Sequence, residues 1–221
     1  MNRKALVWLH VVSSTGWMFM ALALFVTVGH ALSAPDRRAA FEVALLLDTQ
    51  VLQFMATTSA FSGLMLSGLT AWGYFRHWWV LAKTAITFSQ LYLGIFVLSP
   101  NLGPDGSPAL MRVGSLLMAS ALACQVWLSV AKPFKRTPWS PPGKPRTALP
   151  WGFALCLAVP AVDYALGRLL LGAPLPALSL LVAAGYPVVR LLRNRQQGLP
   201  LPPAPAQGGR GGGRDDLGAT G

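Results

Sequence analysis

Residues 5–32 read ALVWLHVVSSTGWMFMALALFVTVGHAL, twenty-eight positions without one Asp, Glu, Lys or Arg. About 20 apolar residues suffice to cross the hydrocarbon core of a bilayer as an α-helix. This run is longer, so it predicts a tilted helix or one with an interfacial end. Asn2-Arg3-Lys4 precede it, a basic start that a signal peptide would share. The run is too long for the apolar part of such a peptide, and Pro35 follows the best cleavage position, near Ala34. It therefore reads as a retained transmembrane helix.

Working outward, the same composition recurs. A second block covers residues 42–72, with Asp48, Gln50 and Gln53 in its first turns. A third runs from Trp78 to Ser99, and the turn-rich stretch from Pro100 to Pro108 ends it. A fourth spans Ala109 to Ala131. A basic, proline-rich connector occupies 132–148, and a fifth block, Leu149 to Leu171, contains Pro160, which predicts a bend. The sixth, Leu175 to Leu192, is the shortest. From Gln196 onward, Pro, Gly and Ala with scattered charge predict a disordered tail. The expected fold is all-α: a polytopic transmembrane bundle of about six helices. Its parts are a four-helix core over 1–131, the connector at 132–148, a helix pair at 149–195 and the tail at 196–221.

Of the 221 residues, 53% are hydrophobic and 11% charged, less than half the charge of an ordinary globular protein. Lipid is the solvent this composition suits. The net charge of +11 does not signal nucleic acid, because the basic residues lie between and after apolar blocks instead of in a stripe. Such placement suits orientation in the bilayer and contact with anionic lipids. With the N-terminus cytoplasmic, that side collects thirteen Lys and Arg, Arg3, Lys4, Arg76, Lys132 and Arg136 among them. The opposite side keeps four: Arg37, Arg38, Arg112 and Arg168. The bias predicts both termini inside the cell and an even number of crossings in the plasma (inner) membrane. Trp72, Tyr74, Phe75, Trp78 and Trp79 around Arg76 read as interfacial anchors. Two cysteines, Cys124 and Cys156, make no disulfide framework and are expected to be small core residues.

Three stretches together resemble a known family: Trp8-Leu9-His10-Val11-Val12-Ser13-Ser14-Thr15-Gly16-Trp17, the run from Trp72 to Lys83, and the run from Ala131 to Trp139. They look like a bacterial family of predicted integral membrane proteins without assigned function, over residues 8–139. That family is more distantly similar to the copper-resistance D proteins and to membrane haem-associated protoporphyrinogen oxidases. The shared features are His10 with Trp17 in the first helix, and Trp78 and Trp79 with Lys83 opening the third. Leu81 stands where the oxidases tend to place a His, so no porphyrin ligand carries over there. The resemblance implies haem or copper as candidate cofactors, with His10 as candidate ligand.

Polar groups inside hydrocarbon cost a few kcal/mol each. His10, Ser14 and Trp17 share a helix face, and His10 lies about 10 Å past the basic boundary at 1.5 Å per residue. Lys83, with Thr87 and Gln90 on its face, and Gln125, on a face with Met118 and Met111, reach a similar level. One reading is a polar pocket or proton-accepting site between helices one, three and four. The plainer reading, which weighs more, is interhelical hydrogen bonding with Lys83 snorkelling to the headgroups. On the opposite side lie His30 and Asp48, expected near water, and Asp163, expected neutral or paired after Pro160. His10 and His30 are about 30 Å apart along one helix and cannot share an iron. His10 with His77 or Met118 stays open, as does copper on the side of His30 and Met111. Thr49, Ala56, Ala60, Gly63 and Ser67 form a small-residue stripe that reads as a packing seam. There is no phosphate loop, H-E-x-x-H or nucleophile elbow.

These residues lead to three functional expectations. The first is an accessory, non-enzymatic membrane protein with a small polar site at His10, Lys83 and Gln125. The second is a membrane redox or metal-handling protein using haem or copper. The third is a small proton-linked transporter, acting as a homo-oligomer, with Asp163 as carrier.

Overall fold

A computed structural model describes residues 2–70, 72–103, 105–133, 136–138, 140, 150–171 and 177–197. The tail beyond residue 197 and most of the connector, 141–149, lie outside the described residues. The described residues form six helices: α1 (Asn2–Ala31), α2 (Arg37–Leu69), α3 (Trp78–Asn101), α4 (Pro108–Ala131), α5 (Pro150–Leu171) and α6 (Ala177–Gln197). No strand occurs among the described residues; His77 and Arg136 form an isolated bridge. Five helices, α1 to α5, are long and apolar enough to cross a membrane. Their outward faces confirm the solvent: Leu169 is 82% exposed, Phe96 66% and Trp8 65%. A water-soluble monomer does not scatter such side chains over its whole girth. The chain is a multi-pass helical membrane protein.

Helix ends follow local chemistry. α2 begins at Arg37, earlier than the apolar pattern predicts, because the Asp36 carboxylate accepts a hydrogen bond from Ala39 N at 2.9 Å. α4 begins after Ser107, whose hydroxyl accepts from Leu110 N, with Pro108 at the first helical position. It ends at Lys132, a left-handed cap at φ 44°. α6 runs to Gln197, so the sixth block is longer than its apolar stretch. Two π-helical turns interrupt the regular spiral, Asp48–Leu52 in α2 and Gly94–Leu98 in α3.

α1 is the central helix, packed against α2, α4 and α5. Hydrocarbon supplies no hydrophobic drive between helices, so close contact and hydrogen bonds must hold the bundle. Two glycines allow such contact. A Cβ on Gly63 of α2 would stand 2.8 Å from His10 Cε1, and one on Gly114 of α4 would collide with Leu98 Cδ2. One apolar cluster joins Trp17, Leu24 and Val28 to Phe41, Met111 and Met118. A second joins Leu6, Phe61 and Met65 to Phe153 and Cys156, and seats the C-terminal pair on α1 and α2.

Cys156 is buried as expected, whereas Cys124 is exposed on the lipid-facing side of α4. The apolar block around Cys124 is uniform in composition, so only packing decides which of its faces turns inward. The segment after α4 is not free either. Thr137 N donates to Arg76 O at 3.0 Å, Thr137 Oγ1 to Phe75 O at 2.6 Å, and Ser140 Oγ to Arg76 O at 2.8 Å. These bonds strap the connector to the α2–α3 loop. Tyr74 and Arg76 are buried there, while Trp72, Phe75 and Trp78 stay exposed and the Lys132 ammonium lies 5.2 Å over the Trp72 ring.

Candidate functional site

The five candidate residues divide between two cavities. The near cavity lies toward the N-terminal end of α1, measures about 480 Å³ and holds His10, Lys83 and Gln125 in its lining. The far cavity, about 340 Å³, is lined by Trp17 and Asp163 together with Asp48. Trp17 shares a helix face with His10 by spacing, but its place about two turns further along α1 carries it out of the near cavity. Its side chain is 2% exposed in the core.

His10 is held by α2. Its Nδ1 lies 3.1 Å from Ser59 O and 3.1 Å from Ser62 Oγ. A carbonyl only accepts, and the single Ser62 hydroxyl proton points to Thr58 O at 2.7 Å. Nδ1 therefore carries a proton and donates, leaving Nε2 as the ring nitrogen free for other work. The ring lies against Gly63, and Ser14 Oγ meets Ser59 Oγ at 2.7 Å beside it. The small-residue stripe is thus a seam at Gly63, yet Ala60, Gly63 and Ser67 also line the near cavity.

Lys83 does not reach for the headgroups. Its Nζ donates to Ser129 Oγ at 2.6 Å across to α4, and Ser129 Oγ donates onward to Gln125 O at 2.9 Å. Gln125 belongs to a buried chain. Thr87 Oγ1 donates to Gln125 Oε1 at 3.1 Å, Gln125 Nε2 to Gln90 Oε1 at 2.6 Å, and Gln90 Nε2 to Met118 O at 2.9 Å. Gln90 was visible from sequence only as a neighbour on the Lys83 face; its pairing with Gln125 depends on how α3 meets α4.

The charge of the two linings is opposite. Among the described residues, Arg3 and Lys83 line the near cavity beside the His10 ring with no Asp or Glu, and Asp48 and Asp163 line the far cavity with no Lys, Arg or His. Asp48 is not in water: it is 5% exposed, its Oδ2 accepts from Ser99 Oγ at 2.8 Å, and it stands at the start of the π-helical turn of α2. Asp163 is buried and paired. Its two oxygens accept from Leu178 N at 2.8 Å and Ser179 N at 2.6 Å, which caps the start of α6. His30 is exposed at the far end of α1, and the Arg168 guanidinium there donates to Gln50 Oε1. Met118 and Met111 line the far cavity, so His10 and Met118 do not face one cavity. His77 Nδ1 lies 3.1 Å from Trp72 O in the α2–α3 loop.

Among the described residues, no three His, Cys, Asp or Glu side chains gather as a metal site would require. Set against known proteins, the chain matches no family model, no curated protein and no solved structure.

Proposed function

We propose that this is a non-enzymatic membrane protein that holds a small amphipathic anion in the near cavity. The observation that carries the reading is the unbalanced lining: Arg3 and Lys83 with no carboxylate among the described residues, in a space of about 480 Å³. That volume is within the range of small-molecule sites. Lys83 donates one proton to Ser129 and has two more for an oxyanion. Trp72, Trp79 and Val130 supply apolar wall for the rest of such a molecule. The protein is proposed to sit in the plasma membrane with both termini inside, among anionic lipids, as its Lys and Arg distribution favours.

The test is ligand-dependent thermal stabilisation in detergent, with alkyl sulfonates and alkyl phosphates against alkyl alcohols of equal length. The anions should stabilise the wild type and the alcohols should not. Lys83→Met and Arg3→Gln should each weaken anion binding about tenfold, the loss of roughly one charge-assisted hydrogen bond. Equal response to anions and alcohols would defeat the reading.

A second reading, membrane redox or metal handling, is favoured by one feature of His10. Its Nδ1–H is anchored on a backbone carbonyl with Nε2 left free, as metal-ligating histidines are arranged. The fit is to a group needing a single imidazole, with Arg3 and Lys83 as partners for acidic substituents; haem would supply electron transfer. A copper site needs further donors, which the described residues near His10 do not provide. The visible spectrum and metal content of the purified protein decide this reading. A Soret band lost in His10→Ala supports it; a colourless, metal-free preparation refutes it.

A further inference from the structure

The two cavities meet end to end. On α1 the near lining ends at Thr15 and the far lining resumes at Trp17; on α3 the change falls between Thr87 and Gln90, and on α4 between Leu122 and Met118. On α2 the neighbours Thr58 and Ser59 face different cavities. Four helices thus change over at one level, within about one helical turn, or 5.4 Å. At that level, beside the buried cluster of Trp17, Ala56, Met118 and Leu122, stand Gln125 and Gln90, one amide in each lining, joined by the 2.6 Å bond from Gln125 Nε2 to Gln90 Oε1. Side chains of this kind can part by rotation without moving a helix.

We infer that the near and far cavities are halves of one path across the bilayer, closed at mid-depth by the Gln90–Gln125 pair, and that small organic anions pass along it. The path itself rests on geometry alone; the class of solute rests on the near-cavity reading. Just beyond the closure stands Trp17, whose buried Nε1–H finds no acceptor among the described residues. An indole N–H only donates, and an oxyanion at mid-depth would be its complement. Asp48 and Asp163 in the far cavity then disfavour retention of an anion there. Along such a path the near cavity is the holding site and the far cavity the weaker one, while the gradient of the anion sets the direction of flow.

Single-cysteine accessibility tests the path on the full chain, in right-side-out and inside-out vesicles, with Cys124→Ser and Cys156→Ala as background. Ser59→Cys and Thr84→Cys report the near cavity; Thr57→Cys and Ser115→Cys report the far one, with two positions each in case one variant does not fold. A membrane-impermeant methanethiosulfonate should label near positions from one face only and far positions from the other only. Adding Gln90→Ala should make both sets reachable from both faces. Labelling of both sets from the same face, or no change on adding Gln90→Ala, overturns the path, whatever the binding assays give. In proteoliposomes, radiolabelled toluenesulfonate, which stays charged, should enter at least tenfold faster than into empty vesicles. Trp17→Phe should slow that entry several-fold. Opposite-face labelling without toluenesulfonate entry overturns the solute class, and if wild-type protein still binds anions, the near-cavity reading survives it.

Discussion

At Gly63 the His10 ring packs directly against the backbone of α2. The imidazole occupies the space where any other residue would put a Cβ, 2.8 Å from His10 Cε1. Gly63→Ala should therefore push the ring off Ser59 and Ser62 and cost about 1–3 kcal/mol, as overpacking in a filled core does. Unfolding of the variant in mixed micelles measures the loss, and His10→Ala in the Gly63→Ala background should recover most of it. Trp17 behaves in the opposite sense. Its indole N–H is buried without an acceptor, a state that costs stability by itself. Trp17→Phe should leave the unfolding midpoint within about 1 kcal/mol of wild type, the relieved donor offsetting the lost ring volume. A fall of several kcal/mol would mean that the N–H has a partner.

Between elements, hydrogen bonds do the joining that water would otherwise drive. α3 and α4 meet through Thr87, Gln125, Gln90 and the Met118 carbonyl. Either Gln90→Leu or Gln125→Leu leaves amide groups buried and unpaired, so each single change should destabilise more than half as much as the double change. A double-mutant cycle on unfolding free energy should give a coupling of about 0.6–1.7 kcal/mol, the range found for side-chain bonds between membrane helices. α5 and α6 meet through Asp163. Asp163→Asn halves the acceptors offered to Leu178 N and Ser179 N and should cost about 1–2 kcal/mol. The same denaturation measurement in micelles reads it. That role differs from proton carriage, which would require the carboxylate to give up these bonds in each cycle. A variant with wild-type stability would return Asp163 to the list of free carboxyls.

At the scale of the molecule, three separated stretches, 8–17, 72–83 and 131–140, converge. His10 and Lys83 face one cavity, and Thr137 is strapped to Phe75 and Arg76 in the loop that leads to Lys83. Thr137→Val removes the 2.6 Å bond to Phe75 O and should loosen that end of the bundle, raising hydrogen exchange over residues 72–80 while leaving α4 unchanged. Equal protection in both proteins would show that the strap is dispensable.

The bundle itself was decided by the sequence alone, because long apolar runs with little or no charge have one low-energy fate, a hydrogen-bonded helix in lipid. The inward level of His10, Lys83 and Gln125 was legible for a related reason: at 1.5 Å per residue, distance from a basic boundary is depth. Rotation about the helix axis was not. Apolar residues ring these helices on every side, so no pattern distinguishes the lipid face from the packed one. That is why Asp48 turned out buried, Cys124 exposed, and Trp17 parted from His10. Whether α2 closes the near cavity, whether Gln90 meets Gln125, and which amides Asp163 caps depend on how small residues let particular faces approach. Only the assembled bundle specifies that, since contacts between helices in lipid are chosen by shape and hydrogen bonding and not by hydropathy.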